Sequence, residues 1–330
     1  PVAATLLGLL VGAVFILVSH ENPIEIYMNM FEKSFFNPYY LTQTLTRATP
    51  IIICGIATAA AWRAGYINIG VEGQMITGAF AATVTAIYVP LPGFLLLPLS
   101  ILAGIIAGGL YATLVAVLNM KFQSSIVICT LMLNYVANYI ASYLVSYPFK
   151  DKSGDGLSLV TKTIPESTHF LQFSSSNTLN LGIVVAAVIT ILFFYMERKT
   201  VFGYESKMTG LNPHFAKYGG VFEKKVMLKT MALSGAIAAV AGMCEIFGYK
   251  YRYTDGMFTS ASYAWTGLMA ALIADLHPVG SLVSSIFLSA LQVGGQAIQR
   301  SSSIPLQMAT VIQSTITLFV SAKIGIKFIK

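Results

Sequence analysis

The residues able to do chemistry in this sequence are amides and one acid set in apolar surroundings: Asn68, Glu72, Gln74, Asn134, Asn138, Gln292 and Gln296. A primary amide donates and accepts at one end of one side chain, so it can read a sugar hydroxyl or the edge of a nucleobase. Glu72 could hold a substrate, gate a path, carry a proton, or pair with Arg63 across its own hairpin, since an acid at membrane depth usually has a partner or a task. The spacing adds to the types. Thr130, Asn134, Asn138 and Ser142 recur every fourth residue, Ser285, Ser289, Gln292, Gln296 and Gln299 follow a 4-3-4-3 pattern, and Thr310, Ser314, Thr317 and Ser321 behave likewise. Each set forms one face of a helix. Such faces are unfavourable against lipid and are expected to point into a bundle. There they either line a polar path or bond neighbouring helices. For the Ser/Thr face packing is the simpler reading, and for the amide pairs both readings stand.

These side chains need elements that bring them to membrane depth. Asn68-Ile-Gly-Val-Glu-Gly-Gln74 lies between two apolar stretches, 48–62 and 75–89. As helix each would be about 22 Å long, short of a hydrocarbon core of about 30 Å. The heptad between them is therefore expected partly inside the membrane, where irregular backbone survives only when buried in protein or lining a cavity. A second interruption, Asp275-Leu-His-Pro-Val-Gly280, follows the short apolar run from Trp265 to Ala274. Interrupted apolar segments in both halves of a chain point to a substrate site near the midplane.

Composition sets the class. Of 330 residues 56% are hydrophobic and 10% charged, which excludes an assembly of soluble domains and fits an all-α, polytopic membrane protein. Ten apolar segments, at about 2–19, 44–62, 66–90, 96–118, 125–147, 179–196, 230–248, 263–275, 279–296 and 306–322, predict about ten transmembrane helices in one domain spanning 1–330. The first segment reads as a span rather than a cleaved signal peptide. The sequence starts at Pro1 rather than Met, so residues are expected to precede it. The net charge of +7 is assigned to basic cytoplasmic loops rather than to nucleic acid. The loop at about 197–229 carries Arg198, Lys199, Lys207, Lys217, Lys224, Lys225 and Lys229, and the tail carries Lys323, Lys327 and Lys330. Placing both inside puts the N- and C-termini in the cytoplasm and the 148–178 loop outside. Glu245 is then expected near the outer surface.

Within the basic loop, Asn212-Pro213 caps and opens a short helix carrying Phe215, Tyr218 and, beyond it, Phe222 on one side. That piece either lies on the membrane or docks into a partner's groove. Cys54, Cys129 and Cys244 have no paired spacing, and the four histidines form no ligand motif, so no metal or other cofactor is expected. A phosphate-binding loop, nucleophile elbow and dinucleotide fingerprint are all missing. Energy for transport must come from an ion gradient or from another subunit.

The combined motifs resemble the ABC-importer permeases for nucleosides and simple sugars. In the first half the resemblance rests on Arg47-Ala-Thr-Pro50, Arg63-Ala-Gly65, Asn68 to Gln74 and Leu131-Met-Leu-Asn-Tyr135. In the second it rests on Gly210-Leu-Asn-Pro213 with Ala216, Tyr218 and Gly219, then Leu233-Ser-Gly-Ala236, His277-Pro-Val-Gly280, Val293-Gly-Gly-Gln296 and Gln299-Arg300. It implies a permease that moves a nucleoside, with riboflavin or a simple sugar such as ribose as alternatives, across a bacterial plasma membrane. It implies cytoplasmic ABC ATPase subunits, a second and paralogous permease, and an extracytoplasmic solute-binding protein. It also implies that Gly210, Asn212, Pro213 and Tyr218 couple to the ATPase, and that the chain is no enzyme. A self-sufficient transporter using Glu72 as proton carrier is the competing class.

Overall fold

Capping residues decide where many of the helices start. Asn22-Pro23, Asn37-Pro38 and Asn212-Pro213 each place an amide ahead of a proline, and the three asparagines accept the backbone N–H of Ile24, Tyr39 and Phe215 at 3.1, 3.0 and 3.0 Å. Proline suits the first helical position because its missing N–H would have no intrahelical partner. The computed structural model describes residues 2–153, 157–173, 178–299 and 307–328, with side chains described for all of these but 2–4, 308–309 and 320–328. The expected contributions of Arg300, Ser321, Lys323, Lys327 and Lys330 therefore lie outside what is described.

In chain order the helices are α1 (Val2–Val18), α2 (Pro23–Phe36), α3 (Pro38–Trp62), α4 (Val71–Tyr88), α5 (Gly93–Phe122), α6 (Ile126–Ser146) and α7 (Gly182–Lys199). They continue with α8 (Val201–Leu211), α9 (Pro213–Tyr218), α10 (Glu223–Glu245), α11 (Met257–Ala261), α12 (Tyr263–Ile273), α13 (Pro278–Gln299) and α14 (Gln307–Phe328). A π-helical turn, Ile246–Lys250, extends α10. Among the described residues there are no strands, only isolated bridges such as Val160 to Thr254, which tie the 148–178 loop to the end of α10.

Among the described residues five helices are long and apolar enough to cross a membrane: α3, α5, α6, α10 with its π turn, and α13. A sixth span arises if α1 and α2, bent by 116°, count as one, while α12 and the Thr310–Phe319 part of α14 are shorter apolar helices. The chain is thus a nearly all-helical, multi-pass membrane protein. Each of the ten expected segments overlaps a helix, but several are too short or too charged to cross alone. α2 was not foreseen. Its apolar residues are interleaved with Glu25, Glu32 and Lys33, and only Ile26, Met30 and Ser34 are buried, so it reads as a polar stretch. α3 begins at Pro38, earlier than the apolar run starts, and α4 begins at Val71 rather than near 66.

α3 and α10 form the centre. From Ala48 to Ala61 every residue of α3 is buried, with α10 on one side and α12 and α13 on the other. α10 also packs on α4 and α5 through small residues. At Gly108 an added Cβ would stand 2.7 Å from both Ala239 Cβ and the Gly235 carbonyl, so backbone contacts backbone there. Close approach of this kind is how membrane helices gain packing without a hydrophobic drive. Gly108→Leu is expected to remove the assembled protein from membranes, because overpacking a tight crossing costs about 1–3 kcal/mol or more. Gly219→Ala, where a Cβ meets only carbonyl oxygens at ordinary distance, should leave yield unchanged. Membrane yield and the melting midpoint in detergent check both.

The third polar face departs from expectation. Thr310 and Ser314 are exposed, whereas Ile312, Gln313 and Ile316 are buried on the side packed against α1, α12 and α13. α14 packs by its aliphatic side and Gln313, leaving the Ser/Thr face outward.

Candidate functional site

α3 ends in a turn at Gly65 (φ +86°), after which Tyr66 to Gly70 runs as non-helical chain back into the bundle. Its backbone groups need partners there, and nearby side chains supply them. Asn68 is wholly enclosed: its Nδ2 donates to Gln74 Oε1 (3.1 Å) and Ser234 Oγ (3.0 Å), and its Oδ1 accepts from Gly70 N (2.8 Å) and Gln74 Nε2 (3.1 Å). From α6, Asn134 accepts from Gly73 N (2.8 Å) and donates to the Ile69 carbonyl (3.0 Å), while Thr130 accepts from Ile69 N (3.3 Å). Three of the predicted site residues, Asn68, Gln74 and Asn134, therefore spend these bonds holding the break in shape.

Glu72 is different. Its carboxylate accepts from Thr259 Oγ1 at 2.7 Å and Trp265 Nε1 at 2.9 Å, and the Thr259 hydroxyl lies 3.4 Å from Asn138 Oδ1. Trp265 precedes Leu276, at the second break, by eleven residues of mostly helical chain, about 16 Å, so Glu72 lies well inside the bundle from the end where Arg63 meets Leu276. The pairing with Arg63 that was one reading of Glu72 is absent. Arg63 forms an ion pair with Glu197 of α7 and donates to the Leu276 carbonyl at 3.1 Å. The turn at Gly65 keeps Arg63 at the end of the bundle while the returning chain carries Glu72 inward.

α6, the helix that carries Asn138, and its C-cap present Tyr135, Tyr139, Tyr143 and Tyr147, each more than half exposed. Tyr135 and Tyr139 are in the middle of the helix. A phenol facing hydrocarbon at that depth is costly, so the face suits water, substrate or protein rather than lipid tails.

A second polar group sits farther along α13. Arg47 Nε donates to Gln292 Oε1 at 2.5 Å, and Gln292 Nε2 reaches Gln313 at 3.1 Å and Thr266 at 3.4 Å. The Arg47 guanidinium lies 5.7 Å from the Tyr263 ring centre, and Tyr263 donates to Glu245 at 3.1 Å. Glu245, expected near the outer surface, is enclosed by protein at the end of α10, where the backbone N–H groups of Ile164 and Phe170 bond to the carbonyls of Tyr251 and Phe247. Gln296, one turn on from Gln292, is partly buried. Both groups meet at the start of α12, whose Tyr263, Trp265 and Thr266 reach Glu245, Glu72 and Gln292 respectively. The structure joins Glu72 to Asn138, and Gln292 to Arg47, but forms no single cluster of all the predicted residues.

The basic loop folds as α8 and α9 at the end where Arg63 lies. Gly210 packs against the backbone of Arg63 and Ala64, a fit that any Cβ would prevent. Asn212 caps α9, Pro213 opens it, and Tyr218 at its end is 94% exposed, with Phe215 and Phe222 also exposed. This unit has one side locked onto the first break and an exposed aromatic side.

The family described as branched-chain amino acid transport system / permease component matches residues 40–321, most of the chain. The chain belongs to that permease family. The permease is 30% identical to the guanosine ABC transporter permease protein NupP of Bacillus subtilis, covering 100% of this chain and 94% of the relative. It is 27% identical to the nucleoside ABC transporter permease protein NupB of Lactococcus lactis (98% and 90% covered) and 30% identical to the glucose ABC transporter permease protein TsgB13 of Haloferax volcanii (97% and 86%). A solved ABC transporter described as of metal-chelate type, in an inward-facing conformation, shares the fold with a TM-score of 0.51 at 16% identity, covering 97% of each chain. The permease is thus the membrane component of an ABC transporter and not an enzyme.

Sequence reasoning missed several polar residues of the permease. Thr259 and Trp265 partner Glu72, and Arg47 partners Gln292, across 187, 193 and 245 residues of sequence. No local pattern announces such pairs. The tyrosines of α6 did leave a signal, since they repeat every fourth residue beside the asparagine face.

Proposed function

We propose that this permease moves nucleosides inward across a bacterial plasma membrane, along the α6 face and past Glu72. The observation that carries the reading is a buried carboxylate, with Thr259, Trp265 and Asn138 around it, and an exposed tyrosine ladder on the helix that carries Asn138. A nucleoside offers ribose hydroxyls that can take over bonds of Glu72 and Asn138, and a base that can stack on a tyrosine ring. Asn68, Gln74 and Asn134 contribute by fixing the break that aims Glu72, and Gln292 and Gln296 belong to a second shelf farther along the path. The full-length likeness to guanosine and nucleoside permeases supports the substrate. A simple sugar is the second reading, favoured by the glucose relative, which is equally identical. The tyrosine ladder favours a ligand with an aromatic ring, and riboflavin shares that feature.

In this reading α9 sits in a cleft of a cytoplasmic ABC ATPase, both termini are cytoplasmic, and the tyrosine face meets a second, paralogous permease. An extracytoplasmic solute-binding protein delivers the ligand to the 148–178 side. Closure of the ATPases on ATP shifts α9 and α8. Gly210 passes that shift to Arg63 and Ala64, and the stapled Asn68–Asn134 loop transmits it to Glu72.

A cysteine at the ladder tests the path. In a Tyr139→Cys variant assembled with its partners, a guanosine concentration ten times its Kd should slow thiol labelling about tenfold by occupancy, and ribose should not. A cysteine at Leu110, exposed on α5, should label at the same rate throughout. Unchanged labelling at position 139 in a transport-competent complex would remove α6 from the path.

A further inference from the structure

Beneath the first break lies a cavity of about 310 Å³ lined by Arg63, Glu197, Arg198, Thr200, Tyr204, Lys207 and His277. It takes no part in the transport path derived above. Three of its side chains are cationic and one is anionic, and that acid is already engaged by Arg63. Arg198 and Lys207 are thus left as excess positive charge on one concave surface. The lining is also held in place. The Arg198 guanidinium stacks 4.2 Å from the Phe194 ring centre, and His277 packs edge-on to the same ring at 5.9 Å. His277 accepts from Gly280 N through Nδ1 at 3.3 Å, which leaves Nε2 to donate to a ligand. Thr200 caps α8, so the positive end of that helix also borders the cavity.

We propose that this cavity binds a phosphate group. A guanidinium, an ammonium and an imidazole N–H around one small concavity match the charge and the several acceptor oxygens of a phosphate. The phosphate comes either from an anionic lipid headgroup or from a soluble phosphate. The position admits both: α7 leaves its apolar stretch at Glu197-Arg198-Lys199, the level at which basic pockets meet headgroups, and the mouth is open. The lining comes from the first break (Arg63), the second break (His277), the end of α7 and α8. A bound phosphate therefore crosslinks the coupling unit to both broken hairpins. It would bias how readily movement of α8 reaches Glu72.

Amine modification of Lys207 reads occupancy without depending on transport. The permease–ATPase complex is placed in nanodiscs of phosphatidylcholine alone, or with added phosphatidylglycerol, and Lys207 acetylation is followed by mass spectrometry. Inorganic phosphate is added to the first, against chloride at equal ionic strength. Protection of Lys207 by about fivefold is expected at several times the ligand's Kd. Protection by phosphatidylglycerol alone assigns the lipid source, and protection by inorganic phosphate in phosphatidylcholine assigns the soluble one. In Arg198→Gln and in His277→Gln, each an exposed position, that protection should weaken. The proposal fails if neither probe exceeds chloride. It also fails if the exposed Lys224 is protected as strongly as Lys207, or if both variants keep full protection, since either marks general screening and not a site.

Discussion

Glu72→Gln is expected to lower guanosine uptake by about ten- to a hundredfold with the protein still present in the membrane. The carboxylate takes two donors, the Thr259 hydroxyl and the Trp265 indole N–H, on separate oxygens. Glutamine keeps the size but offers one oxygen and one NH2, so one donor is left facing another donor. A hydrogen bond to a charged group is worth about 1.5–3 kcal/mol, and each 1.4 kcal/mol is a factor of ten. A structural role and a path role separate through Thr259→Val, which removes the same bond from the other end and keeps the charge. If Glu72 only braces α11 and α12, both variants should lose melting temperature and uptake in proportion. If it lies on the path, Glu72→Gln should lose far more uptake than its change in melting explains. Normal uptake by Glu72→Gln would discard the residue from the mechanism.

Paired substitution of Asn212 and Pro213 by alanine should reduce uptake to background while leaving insertion intact. α9 is six residues long, too short to be stable as an isolated helix, so its cap and its proline carry much of its order. Losing an asparagine cap alone costs about 1 kcal/mol. The lesion sits in the short α8–α9 unit, with Tyr218 and Phe215 exposed around it, and changes no residue of the long apolar helices. Retention of the ATPase on the tagged permease and uptake in cells are the two readouts. Both should fall together, and Tyr218→Ala should weaken both to a lesser degree. Full uptake by the Asn212/Pro213 variant would contradict the coupling role of this unit.

The two breaks were legible because backbone chemistry is local. Gly65, Gly70 and the run Asp275 to His277 interrupt apolar sequence in a way that needs no knowledge of partners, and helices end or begin there. The cap of α9 follows from Asn212-Pro213 for the same reason, whereas the same signal at Asn37-Pro38 went unread because it precedes the apolar run. The tasks of the polar residues were not local. Asn68 and Gln74 have the same composition as a ligand site, yet they close on each other six residues apart and on Ser234 of α10. Asn134 looks identical to Asn138 on its helix face, but only Asn134 faces the returning backbone. Periodicity finds the face and cannot say which member meets protein. Pairing of Glu72 with Arg63 stayed open as one of several readings because both belong to one hairpin, and only the turn at Gly65, which separates them, decides against it. α2 escaped because an amphipathic helix with three charges resembles a loop when only hydropathy is read.

Uptake of labelled guanosine in cells with and without this gene, challenged with unlabelled uridine, glucose, ribose or riboflavin, bears most directly on the account. Uptake should disappear with the gene, and uridine should compete while glucose, ribose and riboflavin do not. Guanosine uptake that survives loss of the gene, or that glucose or riboflavin suppresses as well as uridine does, would contradict the account.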